Sequence, residues 1–529
     1  MTAAIERFPK LFLLALESAP REAPTQDLSA WRRGLNLKNI ELLYLFGLGN
    51  GSAYEYFRDW LQEKKERRLV VLEEDLGLIA TLFQKNPPLL SDLQVDLEWL
   101  TGADVFQGLV ERYPVQHIEA VALPGYPISC FRRFRLELQR KTTLSHSLFL
   151  DRLHGYQPFE NFVRNVPRLQ GAFYGNGLKD AFQGMPAIVC GAGPSLQEAI
   201  PLLKELDGRA LVIAGGSTLA ALSSQGYVPH FGVAIDPNLE EYRRFRNSFC
   251  FECPLLFSTR VFPAIFRTCS GPFGYLRSGI GGAPELWLEE ELGLTDPLLG
   301  KHLSDESISV TAICLAFAQH IGCSTILLSG VDLAYTGGRR YAAGVSDEAT
   351  RLQELESAKS VADRIVRKKD KQGRFVHTAV RWLMEAASIS HFAKKHPEIR
   401  WINTTSGGLK IEGLEEIPLS QANSLLLAEP QDLRKQVARA IARAPMPQPK
   451  TDLLQELKGS VLSVIGHLEI LSGRKKGSKA LAELELKEEL AGSVLFYDME
   501  KVLEQASRVS ALPKWERYLE IANKYNQRF

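Results

Sequence analysis

The feature that most constrains the fold is a regular alternation of short apolar runs and helical segments that begins at Pro186. Runs of strand length lie at residues 187–190, 210–214, 231–235, 254–257, 325–328 and 401–403, and helical periodicity fills the intervals between them. Strands that alternate with helices in this way form parallel sheets. We therefore predict a doubly wound, Rossmann-like α/β domain over residues 183–428, with its ligand outside the carboxyl ends of the strands.

A smaller Rossmann-like domain is predicted over residues 1–119. The apolar run 40–48 breaks at glycines 47, 49 and 51, a helical segment follows, and the run 69–72 ends in the acidic residues 73–75. This is the order of a mononucleotide-binding half, although the spacing is G-x-G-x-G rather than G-x-G-x-x-G. The glycines either bind a cofactor or only permit close packing, and we favour an empty Rossmann-like scaffold.

Three further segments complete the predicted organisation. Residues 120–182 form a helical connection, and the charged segment 337–375 interrupts the central domain as a lid. Residues 429–529 contain a proline-rich stretch and then helical periodicity, which predicts a helical C-terminal domain.

Composition narrows the classes of partner. Lys and Arg number 63 against 62 Asp and Glu, so the net charge is +1 and no global field attracts nucleic acid or an anionic membrane. No apolar run approaches the roughly 18 residues of a membrane span. The 7 cysteines are scattered and lack a second pair for zinc, so we expect reduced thiols, no metal and a cytoplasmic protein.

The sharpest motif follows the first apolar run of the central region and reads Gly191-Ala192-Gly193-Pro194-Ser195-Leu196. Glycines permit a tight turn, Pro194 needs no amide partner in a first helical turn, and Ser195 is suited to cap the helix. A helix that begins in this way presents unpaired amides and the positive end of its dipole to phosphate. We predict that this turn holds a nucleotide-linked substrate, the alternative being a plain tight turn.

Polar residues also follow three other predicted strands. They are Asp236 and Asn238, then Asp332 and Tyr335, then Asn403. Because the carboxyl ends of parallel strands meet at one edge of the sheet, we expect these residues and the glycine turn to line one site.

Hydroxyl residues surround the start of an apolar helix that runs to Ala318. Ser307, Ser309 and Thr311 supply hydroxyls there, while Asp305 and Glu306 stand directly before them. The hydroxyls either cap the helix or form a second anion contact.

Taken in order, four motifs resemble those of the Maf-type flagellin glycosyltransferases. They are GAGPSL at 191–196, AIDPN at 234–238, GCSTILLSGVDLAYTGGRRYA at 322–342 and INTTSGGLKIEG at 402–413. In this family of motility accessory factors the central domain is similar to bacterial CMP-sialic-acid sialyltransferases. The resemblance, which spans roughly residues 40–425, implies cytoplasmic transfer of a nonulosonic acid of pseudaminic or legionaminic type. The donor would be a CMP-activated sugar, with no other cofactor, and the acceptor Ser or Thr of flagellin.

The resemblance also implies roles for individual residues. Nucleotide binding falls to Gly191, Ala192, Gly193, Pro194, Ser195, Ser307, Thr311 and Asn403. Contacts with the donor sugar are expected from Asp236, Asn238, Asp332 and Arg339. Tyr335 and Tyr341 resemble a phosphate-contacting catalytic tyrosine pair, and Arg339 or Arg340 would stabilise the departing charge.

The general base for the acceptor hydroxyl is less clear from the sequence. His377 lies at the end of the lid before a helix, and imidazole titrates near working pH. We therefore name His377 as the candidate catalytic base.

Two other functions remain open. A related branch resembles hydroxymethylpterin diphosphokinases, which would use ATP with Mg²⁺ on carboxylates such as Asp236 and Asp332. Asp305 and Glu306 also stand where the Maf family has Gly-Gly, and Ala192 stands where the sialyltransferases often have Asn. These departures favour a non-catalytic accessory protein that binds flagellin, or a different donor.

Overall fold

The structure is a computed structural model. It describes residues 2–25, 27–37, 40–102, 104–113, 117–153, 156–246, 252–301, 303, 309–345, 365–449, 451–495 and 513–529. The chain separates into two compact units, one within residues 1–149 and the other within residues 150–359 and 365–529. The finer predicted boundaries at 119, 182 and 428 stay predictions.

The N-terminal unit is built on a parallel sheet of four strands in the order β3-β2-β1-β4. The strands are β1 (Leu42–Phe46), β2 (Arg68–Glu73), β3 (Val95–Trp99) and β4 (Ile118–Ala122). Its α-helices are Thr2–Arg7, Pro9–Leu16, Ser29–Arg33, Arg58–Gln62, Leu76–Lys85 and Val105–Arg112, and Ile128–Leu153 follows β4. Short 3-10 turns lie at Ser52–Tyr56 and Pro88–Leu90. The predicted Rossmann-like character of this unit is confirmed.

The glycine turn after β1 is held by packing and by an acid. A Cβ at Gly51, whose φ is 84°, would lie 2.9 Å from Leu82 Cδ1. Glu73 at the tip of β2 accepts hydrogen bonds from the amides of Leu48 (2.6 Å) and Asp75 (2.8 Å), and burial raises the pKa of its carboxyl. These contacts agree with a packing role for the turn, and ligand binding there stays untested.

The central sheet contains nine strands in the order β15-β14-β11-β6-β7-β8-β9-β10-β5, and every neighbouring pair is parallel. The strands are β5 (Phe173–Tyr174), β6 (Pro186–Cys190), β7 (Leu211–Gly215), β8 (Phe231–Ala234), β9 (Leu255–Phe257), β10 (Phe273–Tyr275), β11 (Thr325–Ser329), β14 (Arg400–Asn403) and β15 (Glu415–Glu416). The α-helices between them include Tyr156–Asn165, Leu196–Glu205, Ser217–Ser224, Leu239–Phe245, Ile265–Thr268, Ala283–Glu291, Val310–His320 and Val380–Lys395, and 3-10 turns lie at Val166–Leu169, Gly175–Leu178 and Leu419–Leu425. The predicted doubly wound α/β fold is confirmed.

This strand order fixes where a ligand site forms. The chain first places β5 at one edge and β6 in the middle of the sheet, then adds β7 to β10 between β6 and β5, and finally returns to place β11 on the other side of β6. The connections that follow β6 and β11 therefore run toward opposite edges of the sheet, and this switch point at the carboxyl ends of the two strands is where open parallel sheets bind ligands.

The segment predicted as a lid has two described parts, and both are docked on the central unit. Ala342 N donates to Ala192 O (2.9 Å) in the first part. The second part is an antiparallel hairpin of β12 (Ile365–Lys369) and β13 (Phe375–Ala379). The turn of this hairpin is hydrogen-bonded to the loop after β14, because Lys371 N donates to Gly408 O at 3.2 Å. Residues 346–364 lie outside the described residues.

The C-terminal region is helical, as predicted. Its helices are Leu433–Ala442, Leu453–Leu471, Lys479–Glu488, Leu490–Leu495 and Lys514–Asn526. The helix Leu453–Leu471 buries residues 453, 457, 461, 464, 468 and 471, a spacing that forms one apolar stripe. Across the parts of the chain that the structure describes, no helix combines the length and apolarity that a bilayer span needs.

The loops after β6 and β11 meet backbone to backbone. Gly191 N donates to Ser329 O (2.8 Å) and Gly193 N donates to Gly330 O (2.8 Å). A Cβ on Gly330, whose φ is 69°, would lie 2.6 Å from Gly191 O and 2.6 Å from Leu196 Cβ. The glycines are therefore needed because a side chain would push these two loops apart.

We expect Gly330→Ala to lower the free energy of unfolding by about 3 kcal/mol or more, because left-handed strain and overpacking add. Gly338→Ala is the matched control: its φ is 74°, but an added Cβ there has no neighbour within 4 Å. That variant should lose only about 1–2 kcal/mol, the cost of the strained backbone alone. Urea denaturation measures both, and equal losses would contradict the close approach of the two loops.

Candidate functional site

The turn at residues 191–195 lies at the switch point, as the sequence predicts, but its amides are not bare. The amides of Gly191 and Gly193 donate to the β11 loop, and Ser195 N donates to Asp332 Oδ1 (3.3 Å). The expectation that these amides wait for phosphate is therefore wrong for this arrangement, because the neighbouring loop uses them. Ala192 and Gly193 stay partly exposed, whereas Pro194 and Ser195 are buried.

The carboxyl of Asp332 lies at the amino end of the helix Leu196–Glu205, where it accepts from Ser195. Ser195 does not cap this helix with its own side chain; its hydroxyl instead donates to Asp332 Oδ1 (2.5 Å). A carboxylate at this position has the favourable sign for the positive end of the helix dipole. The aspartate therefore occupies the place that the motif alone assigned to a ligand anion.

The carboxyl of Asp332 is buried with 1% of its surface exposed. Burial raises its pKa from the ordinary value, and the Ser195 hydroxyl bond opposes that shift in part, with a further contribution from the positive charge of Lys371. A carboxyl with opposing influences of this kind at a switch point is a candidate functional group.

An aromatic and cationic cluster is formed by the loop after β11, which carries Asp332, and by the helices Val380–Lys395 and Leu239–Phe245. Tyr335 is buried, and its ring centroid lies 5.0 Å from that of Trp382. The Arg340 guanidinium lies over two rings, 4.9 Å from the centroid of Tyr341 and 5.9 Å from that of Trp382. Arg244 lies 5.7 Å from the Tyr341 ring. The cluster brings two guanidinium groups against aromatic rings, and guanidinium groups suit recognition of an anion.

This cluster adjoins the glycine turn. Ala342, which directly follows Tyr341, donates its amide to Ala192 O at 2.9 Å. The bond ties the arginine and tyrosine segment to the partly exposed face of the turn. Of the two adjacent arginines, Arg339 is exposed and Arg340 is half-buried between rings, so the geometry favours Arg340 over the predicted Arg339.

Asn403 supports a loop and does not lie open at the rim. It is buried, its Oδ1 accepts from Thr405 N (3.1 Å), and its Nδ2 donates to Glu416 Oε1 (2.9 Å). Thr405 in turn accepts from Val331 N through its hydroxyl (3.1 Å). Asn403, which the sequence predicts as a nucleotide contact, thus positions the loop after β14 against the loop after β11 that carries Asp332.

Asp236 and Asn238 follow β8, and the structure gives them a different neighbourhood. Asp236 lines a small cavity with Gly216, Tyr242 and Phe262. Asn238 is exposed. These two residues lie at the same edge of the sheet as Asp332, on a strand separated from β6 by β7.

The hydroxyls at the start of the helix Val310–His320 point to an acid. Ser309 caps the helix by accepting from Ala312 N (3.1 Å) and donates its hydroxyl to Glu385 Oε1 (2.6 Å). Burial raises the pKa of Glu385, and hydrogen bonds from Ser309 and Thr311 oppose that shift. The capping alternative therefore describes Ser309, and Thr311 contacts Glu385. Ser307, Asp305 and Glu306 lie outside the described residues.

His377 lies on β13 opposite Arg367, and its carbonyl accepts from Tyr335 N (2.9 Å). The next residue, Thr378, is buried and donates its hydroxyl to Leu333 O at 2.6 Å. Because side chains alternate along a strand, the imidazole lies on the face of the hairpin opposite Thr378. The backbone of His377 is thus hydrogen-bonded to the loop after β11 at Tyr335. The role of His377 as a base stays a prediction.

Sequence reasoning missed Trp382 and a second glycine turn. Trp382 lies in the first turn of an amphipathic helix, where an aromatic residue usually indicates core packing. Gly215 and Gly216 end β7 and precede the helix Ser217–Ser224, and Gly216 has a φ of 52°. The strand and the glycine pair were both visible in the sequence, so this turn carried a usable signal.

No cluster of three or more His, Cys, Asp or Glu side chains able to hold a metal occurs within the described ranges. The free cysteines there include Cys130, Cys190, Cys314 and Cys323. Burial raises the pKa of the Cys190 thiol to about 12, so it stays a thiol and packs as an apolar residue.

Comparison with known proteins places the central region. Residues 160–338 match the family model described as "6-hydroxymethylpterin diphosphokinase MptE-like". The solved structure of a MAf glycosyltransferase from Magnetospirillum magneticum AMB-1 is similar, at 14% identity and a TM-score of 0.48, over 98% of this chain and 86% of that one. No curated protein matches. The matched family region contains the glycine turn, Asp332 and Tyr335, and it supports the relationship that the ordered motifs indicate.

We expect Asp332→Asn to keep or raise the melting temperature near neutral pH. Asn Oδ1 still accepts from Ser195, while the cost of a buried charge disappears. Because the folded-state pKa is raised above the ordinary 3.8, the charged wild-type form is disfavoured as the pH rises above that value. The gain of the variant should therefore shrink as the pH falls toward it.

Asp332→Ala is the matched control, because it removes the acceptor as well as the charge and leaves the buried Ser195 hydroxyl without its partner. Thermal unfolding followed by circular dichroism across a pH series measures both variants. A melting temperature for Asp332→Asn that is as low as that of Asp332→Ala at neutral pH would contradict this description of the aspartate.

Proposed function

We propose that this chain is a glycosyltransferase that moves a nonulosonic acid from a CMP donor to Ser or Thr of flagellin in the cytoplasm. The observation that carries the proposal is the partly exposed Ala192–Gly193 backbone at the switch point, joined by a hydrogen bond to the Arg340–Tyr341 segment. Among the described residues the Ala192 amide has no hydrogen-bond partner, so this arrangement offers one phosphate-sized anion that amide and the Arg340 guanidinium.

The leaving group makes the main chemical demand in such a reaction. When the bond between the sugar and CMP breaks, negative charge develops on the phosphate, and pre-oriented cations stabilise it without reorganisation. Arg340 is oriented by the rings of Tyr341 and Trp382. Arg244 also lies over the Tyr341 ring. The Tyr341 hydroxyl would donate a further hydrogen bond, as the resemblance implies.

The sugar carries positive charge in the transition state and needs positioning more than covalent help. Asp332 has the sign that stabilises such a cation, and its bond from the Ser195 hydroxyl fixes the direction of its Oδ1. We assign to Asp332 the electrostatic role on the sugar side, and to His377 the removal of the proton from the acceptor hydroxyl. This role would also account for the position of the Asp332 carboxyl at the helix start, where the sequence predicts a phosphate.

A second function is favoured by one specific finding, the match of residues 160–338 to the 6-hydroxymethylpterin diphosphokinase MptE-like family. A diphosphokinase-like reaction would take ATP with Mg²⁺, and the carboxylates expected to bind the ion are Asp236 and Asp332. Asp332 Oδ1 is engaged by Ser195, and Asp236 follows β8 rather than β11. This geometry favours the CMP-dependent transferase. The accessory alternative depends on Asp305 and Glu306, which lie outside the described residues.

We expect CMP to bind with a dissociation constant at least tenfold lower than that of ATP with Mg²⁺ when measured by isothermal titration calorimetry. Arg340→Gln should weaken CMP binding by about tenfold or more, since hydrogen bonds to charged groups contribute about 1.5 kcal/mol or more. Arg168→Gln is the matched control, because Arg168 also lies over a ring, 5.7 Å from the centroid of Phe266.

Unchanged CMP affinity in Arg340→Gln would show that Arg340 does not contact CMP. Tighter binding of ATP with Mg²⁺ than of CMP would support the diphosphokinase-like function instead. The acceptor is tested separately by the intact mass of flagellin from cells with and without the chain. If flagellin mass is the same in both while CMP binds, the donor assignment stands and the acceptor assignment fails.

A further inference from the structure

A second cavity lies at the amino edge of the central sheet, opposite the edge that carries the candidate site. Tyr227 precedes β8, Pro254 precedes β9 and Pro272 precedes β10, and all three line a cavity of about 560 Å³. The helix Leu433–Ala442 supplies another wall through Arg434 and Val437. The volume falls in the range of about 300–1,000 Å³ that is typical of small-molecule sites.

His230 lines this cavity and is 2% exposed. Its Nδ1 accepts a hydrogen bond from Val212 N (3.0 Å) at the neighbouring strand. Burial, followed by the charge of Arg434, lowers the pKa of the imidazole to about 4, so the ring is neutral near neutral pH. A neutral imidazole whose Nδ1 accepts must carry its proton on Nε2.

That Nε2–H group has no hydrogen-bond partner in the part of the chain that the structure describes, and it belongs to a ring that lines the cavity. The bond from Val212 explains why the ring is held in place, but it leaves the second nitrogen unused. His230 Nε2 is not among the fully enclosed side-chain atoms that lack a partner, so water or a ligand in the cavity can accept from this donor.

Charged groups surround the same donor. Lys204 and Arg434 bring two positive charges to the cavity, and Arg434 donates to Val228 O (2.7 Å). Asp207, which accepts from the Tyr227 hydroxyl (3.4 Å), and Glu252 bring two negative charges. Among the described residues no ion pair neutralises Lys204, Arg434 or Glu252.

We propose that this cavity binds a small carboxylate ligand with an apolar body. The carboxylate would accept from His230 Nε2–H and lie near Lys204 and Arg434, while the body would pack against Pro254, Pro272 and Val437. Asp207 and Glu252 oppose additional negative charge, so a monoanion fits better than a phosphate dianion. The site is independent of the proposed transferase activity.

Benzoate is the probe, with phenyl phosphate as the dianionic analogue and benzyl alcohol as the neutral one. Titration of the full chain, followed by the ¹⁵N shift of His230 Nε2 and by calorimetry, should show benzoate binding at least about tenfold more tightly than either analogue. The His230 signal should move on benzoate addition, because the carboxylate accepts from that nitrogen.

His230→Asn is the decisive variant, since the Asn amide oxygen replaces Nδ1 as the acceptor for Val212 N but removes the distal donor. It should keep the wild-type melting temperature and weaken benzoate binding by about tenfold. Arg434→Gln should weaken binding likewise, whereas Arg439→Gln, on the same helix but outside the cavity lining, should not.

Equal affinity for benzyl alcohol and benzoate would overturn the proposal, as would unchanged benzoate binding in a folded His230→Asn variant. Tighter binding of phenyl phosphate than of benzoate would overturn the assignment to a carboxylate. Should His230→Asn lose stability, the shift of His230 Nε2 in the wild-type chain decides the question, and a signal that does not respond to benzoate contradicts the site.

Discussion

The hydrogen bonds from Ser195 to Asp332 join the two loops on which the candidate site depends. Their residues are far apart in the sequence but adjacent in space, because β6 and β11 are neighbours in the parallel sheet. Glycines at 191, 193 and 330 permit the backbone contact that brings Asp332 to the start of the helix. The geometry of the crevice therefore follows from strand order and from the absence of side chains at three positions.

The same contact organises the residues around it. The β11 loop continues from Asp332 through Tyr335 to Arg340 and Tyr341, and the amide of Ala342 returns to the glycine turn. Thr405, held by Asn403, supports the other side of that loop through Val331. Backbone hydrogen bonds thus bring together the segments that carry the guanidinium, the aromatic rings and the buried carboxyl, and contacts among these side chains then orient them.

Much of the fold followed from the sequence, because alternating apolar runs and helices indicate a parallel sheet and the edge of it where ligands bind. The position of the glycine turn was predictable for the same reason. The occupation of its amides was not, since Asp332 reaches Ser195 across 137 residues and no local pattern encodes that contact. The sequence likewise could not show that Arg340 rather than Arg339 lies against the rings, or that the Asn403 side chain is buried. Both depend on which side chains the neighbouring elements bury.

The central claim is that a nucleotide phosphate binds between the glycine turn and the Arg340–Tyr341 segment, and a crystal structure of the chain with CMP tests it most directly. The predicted result is phosphate density within hydrogen-bond distance of the Ala192 amide and of the Arg340 guanidinium. CMP bound only at the amino edge of the sheet, or density that leaves this crevice filled by Asp332 alone, would contradict it.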